Sequence, residues 1–382
     1  MKKIFYWSPC LNRVGTLYST VNSAISIKKY SNNTFEPIII NSCGEWDNYL
    51  EIFNKYNIKV KNFYRYNYFK YLPKQGFISS RLSYLIIYIF SFIPLLKLIK
   101  KNKNEILIAH LITSLPLSLA IIFNIKTKLI LRISGYPKLN FIRYFLWKLS
   151  NFKISYITCP SQALLEKLKN INLFDKKKLT YLPDAIININ EIKSQLFEKK
   201  KKEIKYILAV GRLTKQKNFT YLINEFDKFL KVNKNFKLII LGEGDEKEKL
   251  KNICKSRKIT DHVEFKGQVN NVYSYMKQAS VFVLSSLWEE PGFVIIEAGF
   301  CNLFVISSDC ENGPIEFLNN GEGGILFESN KENSLFNSLV KFEHMKKEEI
   351  LIKKINLKKK TKDYSIFTHF KILNNILDEN KI

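Results

Sequence analysis

Short apolar runs alternate with longer amphipathic stretches along the whole chain. In the first half the runs fall at residues 4–7, 37–40, 106–109, 129–133, 154–158 and 179–182. Helical spacing of apolar positions fills the gaps at 17–30, 115–124 and 162–170. The second half repeats the scheme, with strands at 206–210, 237–241, 263–265, 281–285, 304–307 and 324–327. Strand–helix alternation of this kind predicts parallel sheets covered by helices on both faces. Two such series predict an α/β protein of two doubly wound, Rossmann-like domains, with a ligand site at the carboxyl ends of the strands, in a cleft between the domains. The polar run at 189–202 marks the boundary, giving domains at 1–185 and 200–362. Helical periodicity returns at 363–377.

One stretch is apolar without alternation. Residues 82–96 (LSYLIIYIFSFIPLL) are closed by Lys97, Lys100, Lys101 and Lys103. A membrane span needs about 20 such residues, and this run contains Pro94, so a buried or interfacial helix is expected. The apolar run at the N-terminus ends at Ser8-Pro9, too short for a signal peptide, and reads as a first buried strand.

With 46% apolar and 25% charged residues, the 382-residue chain has the balance of a folded protein with a real core. Its formal charge is +27, of which +20 lies in residues 1–190 and +7 in the rest. Such an excess calls for an anionic partner, and the asymmetry gives the two halves different ones. The six cysteines show no C-x-x-C spacing and His is scarce, which argues against zinc or a disulfide framework and for a reducing cytosol.

Two clusters carry candidate chemistry. In Val210-Gly211-Arg212-Leu213-Thr214-Lys215-Gln216-Lys217-Asn218-Phe219 a strand ends and a helix begins. Gly211 permits a tight exit, and Arg212 and Lys217 sit where a diphosphate would be neutralised. A basic surface loop is the plainer reading. In Ser285–Ala298 a strand runs into a loop, and Pro291-Gly292 opens a helix whose free N–H groups at Gly292, Phe293 and Val294 would face an anion. Glu289 lies in that loop and Glu297 lies eight residues later. Surface Glu pairs are common, so the pair alone decides little.

Together these clusters resemble the family 4 glycosyltransferases, nucleotide-sugar enzymes of the GT-B fold. The resemblance covers nearly all of the second half: V-G-R-L-x-x-x-K-N-F at 210–219, L-G-E-G at 241–244, H-V-E-F-K-G at 262–267 and the E-x7-E pair Glu289/Glu297. Residues 307–316 are similar to S-D-C-x-x-G-P-x-E, a variant of bacterial enzymes that build lipopolysaccharide, capsule and lipid-linked oligosaccharides. The resemblance implies that Gly211, Arg212, Lys217, Gly242, Glu243, Gly244, Glu289, Gly292, Phe293, Val294 and Glu297 bind the donor. Glu289 would contact its sugar and Glu297 its ribose, while Arg212 and Lys217 hold the diphosphate. It also implies GT-B domains facing a central cleft, a last helix (363–382) crossing back onto the first domain, and transfer with retention. No Asp-x-Asp motif is present to hold a cation, so neither cofactor nor metal is expected.

The first half matches less closely. Asn12-Arg13-Val14-Gly15-Thr16 stands where the family carries a Gly-rich turn, leaving Gly15 and Thr16 as a phosphate or acceptor loop, or a plain turn. Arg132-Ile133-Ser134-Gly135-Tyr136-Pro137 stands where a His-Gly pair is usual, with Ser134 and Gly135 in the acceptor loop. His110 is the best remaining catalytic histidine, and a buried structural role fits it as well. The basic and aromatic residues of 59–74 (KVKNFYRYNYFKYLPK), beside the apolar run, look like an interfacial anchor or a solvated loop. The expectation is a transferase moving a hexose or N-acetylhexosamine from a nucleotide sugar, UDP-linked, to a lipid-linked glycan, peripheral on the cytoplasmic face of the membrane. The competing readings are a GT-B nucleotide-sugar 2-epimerase, told apart by turnover without acceptor, and a nucleic-acid-binding module, told apart by salt-dependent binding. Nucleic acid is not the expected partner, since it leaves the second-half motifs unexplained.

Overall fold

The apolar runs become two parallel sheets. The computed structural model describes residues 1–11, 15–73, 77–137, 139–195 and 205–378. The first sheet holds β1 (Lys2–Trp7), β2 (Phe35–Asn41), β3 (Lys59–Asn62), β4 (Ile106–Ala109), β5 (Lys128–Arg132), β6 (Ile154–Cys159) and β7 (Leu179–Tyr181) in the order β3-β2-β1-β4-β5-β6-β7. The second holds β8 (Tyr206–Val210), β9 (Lys237–Leu241), β10 (Val263–Gly267), β11 (Val281–Leu284), β12 (Phe304–Ser308) and β13 (Ile325–Phe327) in the order β10-β9-β8-β11-β12-β13. In each sheet the strand order reverses once, between β1 and β4 and between β8 and β11. Those are the switch points at which doubly wound sheets bind ligands.

Two units result, Met1–Ile186 with Ile366–Ile382, and Ile187–Ser365. Within the first, side chains divide by the two-residue period of a strand. Phe5, Trp7, Leu107, Ala109, Leu129 and Leu131 point into one cluster, while Ile4, Tyr6, Ile106, Ile108 and Ile130 point into another on the opposite face. The helix Ile366–Leu377 closes the second cluster with Ile366, Leu373, Ile376 and Leu377. Each such fully buried side chain contributes about 1.5–3 kcal/mol. In the second unit the amphipathic helix Phe219–Val232 buries Phe226 and Phe229 against Phe236 and the strands. Turns rely on Asn: of fifteen non-glycine residues with positive φ among the described residues, thirteen are Asn. Asn tolerates the left-handed region through its short polar side chain, so few glycines suffice.

Several boundaries differ from those the sequence suggests. The second unit begins at Ile187, earlier than residue 200, because the polar run carries an apolar anchor. Ile192 is buried, and the helix Ile189–Gln195 offers the Gln195 carbonyl to Asn271 Nδ2 at 2.8 Å. Residues 196–202 of that run lie outside the described residues. The chain returns to the first unit at Ile366 instead of 363, since Tyr364 is buried against Phe293 and Phe317 of the second unit. Part of the basic–aromatic stretch is an edge strand: Lys59–Asn62 pairs with β2, and Lys59 Nζ meets Glu36 Oε1 at 2.5 Å. Its Lys74 lies outside the described residues. The apolar helix is longer than its apolar run, spanning Phe77–Lys101, and Ser79–Lys101 has the length and mean hydropathy (2.1) of a membrane span. It is not a buried helix. Ser83, Ile87, Ser91, Leu95 and Ile99 pack inward at four-residue spacing, while Leu82, Leu85, Ile89, Phe90 and Ile93 are exposed.

Candidate active site

The loops that follow β8, β9, β11 and β12 build the candidate donor site of the second unit. Strand β8 ends at Val210, and Gly211 N–H donates to the Leu241 carbonyl at 2.9 Å. Leu213 N–H donates to Glu243 O at 3.0 Å, and Glu246 N–H to Leu213 O at 3.0 Å. The Gly242–Gly244 loop is thereby pressed onto the Gly211–Leu213 loop. A Cβ at Gly242 would lie 1.9 Å from Gly211 O, and one at Gly244 2.4 Å from Leu213 O. Only glycine allows that approach, so both glycines have a packing reason of their own. The Glu243 side chain turns outward to Lys247, 2.8 Å away. Arg212 is exposed at the tip of the first loop.

The short turn Lys215–Lys217 is tied to the loop after β11. Leu287 N–H donates to Gln216 O at 2.8 Å, Gln216 Nε2 donates to Trp288 O at 2.9 Å, and Ser285 Oγ donates to Lys217 O at 2.8 Å. These bonds set Lys217 Nζ 2.5 Å from Glu289 Oε1, with both side chains largely withdrawn from water. Ser286 Oγ donates to the same carboxylate oxygen at 2.5 Å, and the Ser286 carbonyl accepts from Ser308 Oγ at 2.7 Å. A buried carboxylate held by a cation and a hydroxyl is a fixed acceptor of known direction. Glycines again shape the loop. Gly292 has φ +83°, and a Cβ on Gly313 (φ +141°) would stand 1.7 Å from Pro291 O.

The helix after this loop runs Val294–Phe300, starting later than Pro291-Gly292, because Gly292 takes a left-handed turn first. Its seven residues make a weak macrodipole. Phe293 stacks on Phe317, ring centroids 6.1 Å apart. Glu297, on that helix and half-buried, accepts from Tyr273 Oη at 3.3 Å. Burial pushes its carboxyl up to about 7.

In the first unit the other candidates cluster around the carboxyl ends of β1, β4 and β5. Gly15 opens the helix Gly15–Tyr30 with open space where a Cβ would stand, and Thr16 follows it; Asn12, Arg13 and Val14 lie outside the described residues. Ser134 and Gly135 are half-buried in the loop after β5. His110 is buried, with Nδ1 3.4 Å from Thr20 Oγ1. Burial first, then the charges of Arg132 and His369, hold its pKa well below the usual histidine value. The imidazole is neutral and able to exchange a proton only at a cost.

The sequence reading missed a buried polar group in this unit. Arg132 donates to Leu182 O at 2.7 Å and pairs with Asp184, which also accepts from Ser19 Oγ at 2.6 Å. His369 bonds Pro183 O at 2.7 Å and Ser23 Oγ at 2.8 Å. An Arg ending an otherwise apolar strand was the available signal, since an unpaired buried guanidinium would be prohibitive.

Residues 189–362 match the model of the family glycosyl transferases group 1. The match lies within the second unit, Ile187–Ser365. Two Campylobacter jejuni proteins are similar to this chain. One is N-acetylgalactosamine-N,N'-diacetylbacillosaminyl-diphospho-undecaprenol 4-alpha-N-acetylgalactosaminyltransferase, 32% identical over 58% of this chain and 62% of its own length, less than two thirds of it. The other is GalNAc-alpha-(1->4)-GalNAc-alpha-(1->3)-diNAcBac-PP-undecaprenol alpha-1,4-N-acetyl-D-galactosaminyltransferase, 28% identical over 73% of this chain and 76% of its own. A crystal structure of HepE from Anabaena with UDP and glucose covers 99% of both chains at TM-score 0.73 and 14% identity. That likeness is one of fold, and the fold is GT-B.

Proposed function

We propose that this protein transfers a hexose or N-acetylhexosamine from a UDP-sugar to a lipid-linked glycan, with retention and without a metal ion. The observation that carries the proposal is the Lys217–Glu289 pair, 2.5 Å long, between the loops after β8 and β11. An ion pair at that switch point offers a cation to a diphosphate and a carboxylate to a sugar hydroxyl in one place. On this reading Arg212 and Lys217 neutralise the departing diphosphate, which is the charge a metal would otherwise carry. Glu289 orients the sugar, and Glu297 accepts from the ribose hydroxyls. The anomeric C–O bond to the diphosphate breaks as the acceptor oxygen bonds the same carbon on the same face. The acceptor proton passes to a diphosphate oxygen, so atoms and charge balance.

The acceptor loops are those of Gly15, Thr16, Ser134 and Gly135, with His110 behind them. Both Campylobacter relatives are named for transfer of N-acetylgalactosamine to diphospho-undecaprenol glycans, so UDP-N-acetylgalactosamine and a polyprenyl-diphosphate acceptor head the panel to test. The concentrated positive charge of 1–190 suits that anionic acceptor and the cytoplasmic surface of an anionic membrane, where the protein works peripherally. The family match favours transfer over epimerisation or nucleic-acid binding.

The test is a panel of UDP-sugars with polyprenyl-diphosphate glycans, read by product mass and by anomeric coupling in NMR. Product with a retained anomer, formed equally in EDTA, is expected. Activity lost in EDTA and restored by Mg²⁺ overturns metal independence. An inverted anomer overturns retention. UDP-sugar isomerised without acceptor makes the protein an epimerase.

A further inference from the structure

The first unit leaves an apolar surface uncovered on one side of its sheet. On the helix Phe141–Ser150 the inward positions are Trp147 and Ser150. The apolar outward ones are Phe141, Ile142, Phe145 and Leu149, between 45% and 77% exposed. A surface helix normally turns polar residues outward, and this one mixes large apolar side chains with Arg143 and Lys148 on its outer side. Phe152, just beyond it, is 65% exposed. The helix Phe77–Lys101 adds Leu85, Ile89, Phe90 and Ile93 to the same side of the unit. Between the two lies Ser114–Ile122, which packs on both and ends in the exposed Ile122. Phe92 and Phe123 rings meet at 6.2 Å on one flank, and Lys153 Nζ bonds Asn124 Oδ1 on the other. The three helices thus present one continuous face.

The segment that supplies these helices is strongly basic, although Arg132 is buried with Asp184 and Lys128 bonds Ile376 O on the other side of the sheet. Residues 63–165 hold fifteen Lys and Arg and one acid, Glu105. Several cations stand beside the rings of this side: Lys100 Nζ is 4.9 Å from the Phe123 centroid, Lys148 5.7 Å from Tyr144 and Lys153 5.2 Å from Phe152. Aromatic and aliphatic side chains in the middle, with ammonium and guanidinium groups beside them, match the two layers of a lipid interface. A second copy of the chain fits poorly, because apposing two such faces would bring like charges together. Spanning is opposed by the inner side of Phe77–Lys101, where Ser83, Ile87, Ser91, Leu95 and Ile99 belong to the packed interior. That helix can lie along a surface without unfolding the unit.

We propose that this three-helix face docks flat on an anionic bilayer, with Phe141, Ile142, Phe145 and Ile89 inserting at the acyl boundary. The proposal rests on the peripheral-membrane reading above and moves the contact from the basic stretch at 59–74 to the outer faces of Phe77–Lys101 and Phe141–Ser150. The full-length protein is sedimented with vesicles of phosphatidylcholine alone or mixed with phosphatidylglycerol, at low and high salt. Binding is expected with phosphatidylglycerol, weaker at high salt. Phe141→Glu/Phe145→Glu and, separately, Ile89→Glu should each lower the partition coefficient at least about tenfold. Thermal unfolding is followed alongside, and Phe141→Leu/Phe145→Leu, which keeps the face apolar, should bind as the parent does. Undiminished binding by the Glu variants overturns the proposal. If neutralising Lys59, Lys61, Arg65 and Lys70 then abolishes binding, the membrane reading survives with a different contact. Absence of binding by the parent protein overturns both. A parent dimer in sedimentation velocity that the Glu variants dissociate, without vesicle binding, makes the face a protein interface instead.

Discussion

Lys217 and Glu289 are partners in the fold, and each is the other's main compensation for leaving water. On the proposed donor reading, removing Lys217 therefore acts twice: it takes a cation from the diphosphate and leaves a buried carboxylate short of a partner. Lys217→Ala should lower kcat/KM by roughly 30- to 1000-fold, about 2–4 kcal/mol of transition-state stabilisation, in steady-state assays with the best donor. Unchanged kinetics would remove Lys217 from the site. Glu297 gives a pH signature. Its carboxyl is raised to about 7, and on the proposed reading the two ribose hydroxyls are accepted best by the ionised form, both of whose oxygens accept, so nucleotide binding favours release of the proton. Nucleotide affinity, measured by calorimetry, should fall as pH drops through 7 and level off above it. Glu297→Gln should flatten the profile; a parent profile already flat from pH 6 to 8 would place the carboxylate away from the nucleotide. Of these residues, the acidic pair and the basic loop stand out in sequence through the family resemblance, since a Glu pair or a basic loop alone decides little. The Ser286 and Gln216 bonds that aim them do not, since a Ser or Gln in a loop has no distinctive pattern.

Elements were legible to the degree that burial was two-sided. Strands such as Ile106–Ala109 and Lys237–Leu241, apolar almost throughout, declare themselves. The edge strand Lys59–Asn62 hides because three of its four residues are exposed and two are Lys, the usual dressing of a sheet edge. The full length of the helix Phe77–Lys101 is hard to see in sequence because Ser79, Ser80 and Arg81 at one end and Lys97, Lys100 and Lys101 at the other interrupt the apolar signal. The final helix was read for its periodicity, and its packing explains its need. Leu373 is 1% exposed within the cluster that also holds Ile4, Tyr6 and Ile39. Leu373→Ala should destabilise the first unit by about 2–5 kcal/mol, seen as an earlier urea transition of that unit. A midpoint unchanged from the parent would mean the helix is dispensable.

For the molecule as a whole, the two units differ in how the chain completes them. Ile187–Ser365 is continuous, so residues 187–365 expressed alone should fold to a cooperative α/β unit that binds UDP. Residues 1–186 alone should aggregate, and adding a synthetic peptide of 366–378 should raise their recovery in soluble form. Equal solubility of 1–186 with and without the peptide would contradict this. The interruption has a consequence for biosynthesis. As the chain leaves the ribosome, the first unit has all its strands by residue 181 but lacks Ile366, Leu373, Ile376 and Leu377 until nearly two hundred residues later. Through that interval a strip of its apolar cluster stays open to water while the second unit is free to close. Maturation is therefore inverted: the second unit, though made later, is ready first, and the first unit waits for residues 366–377.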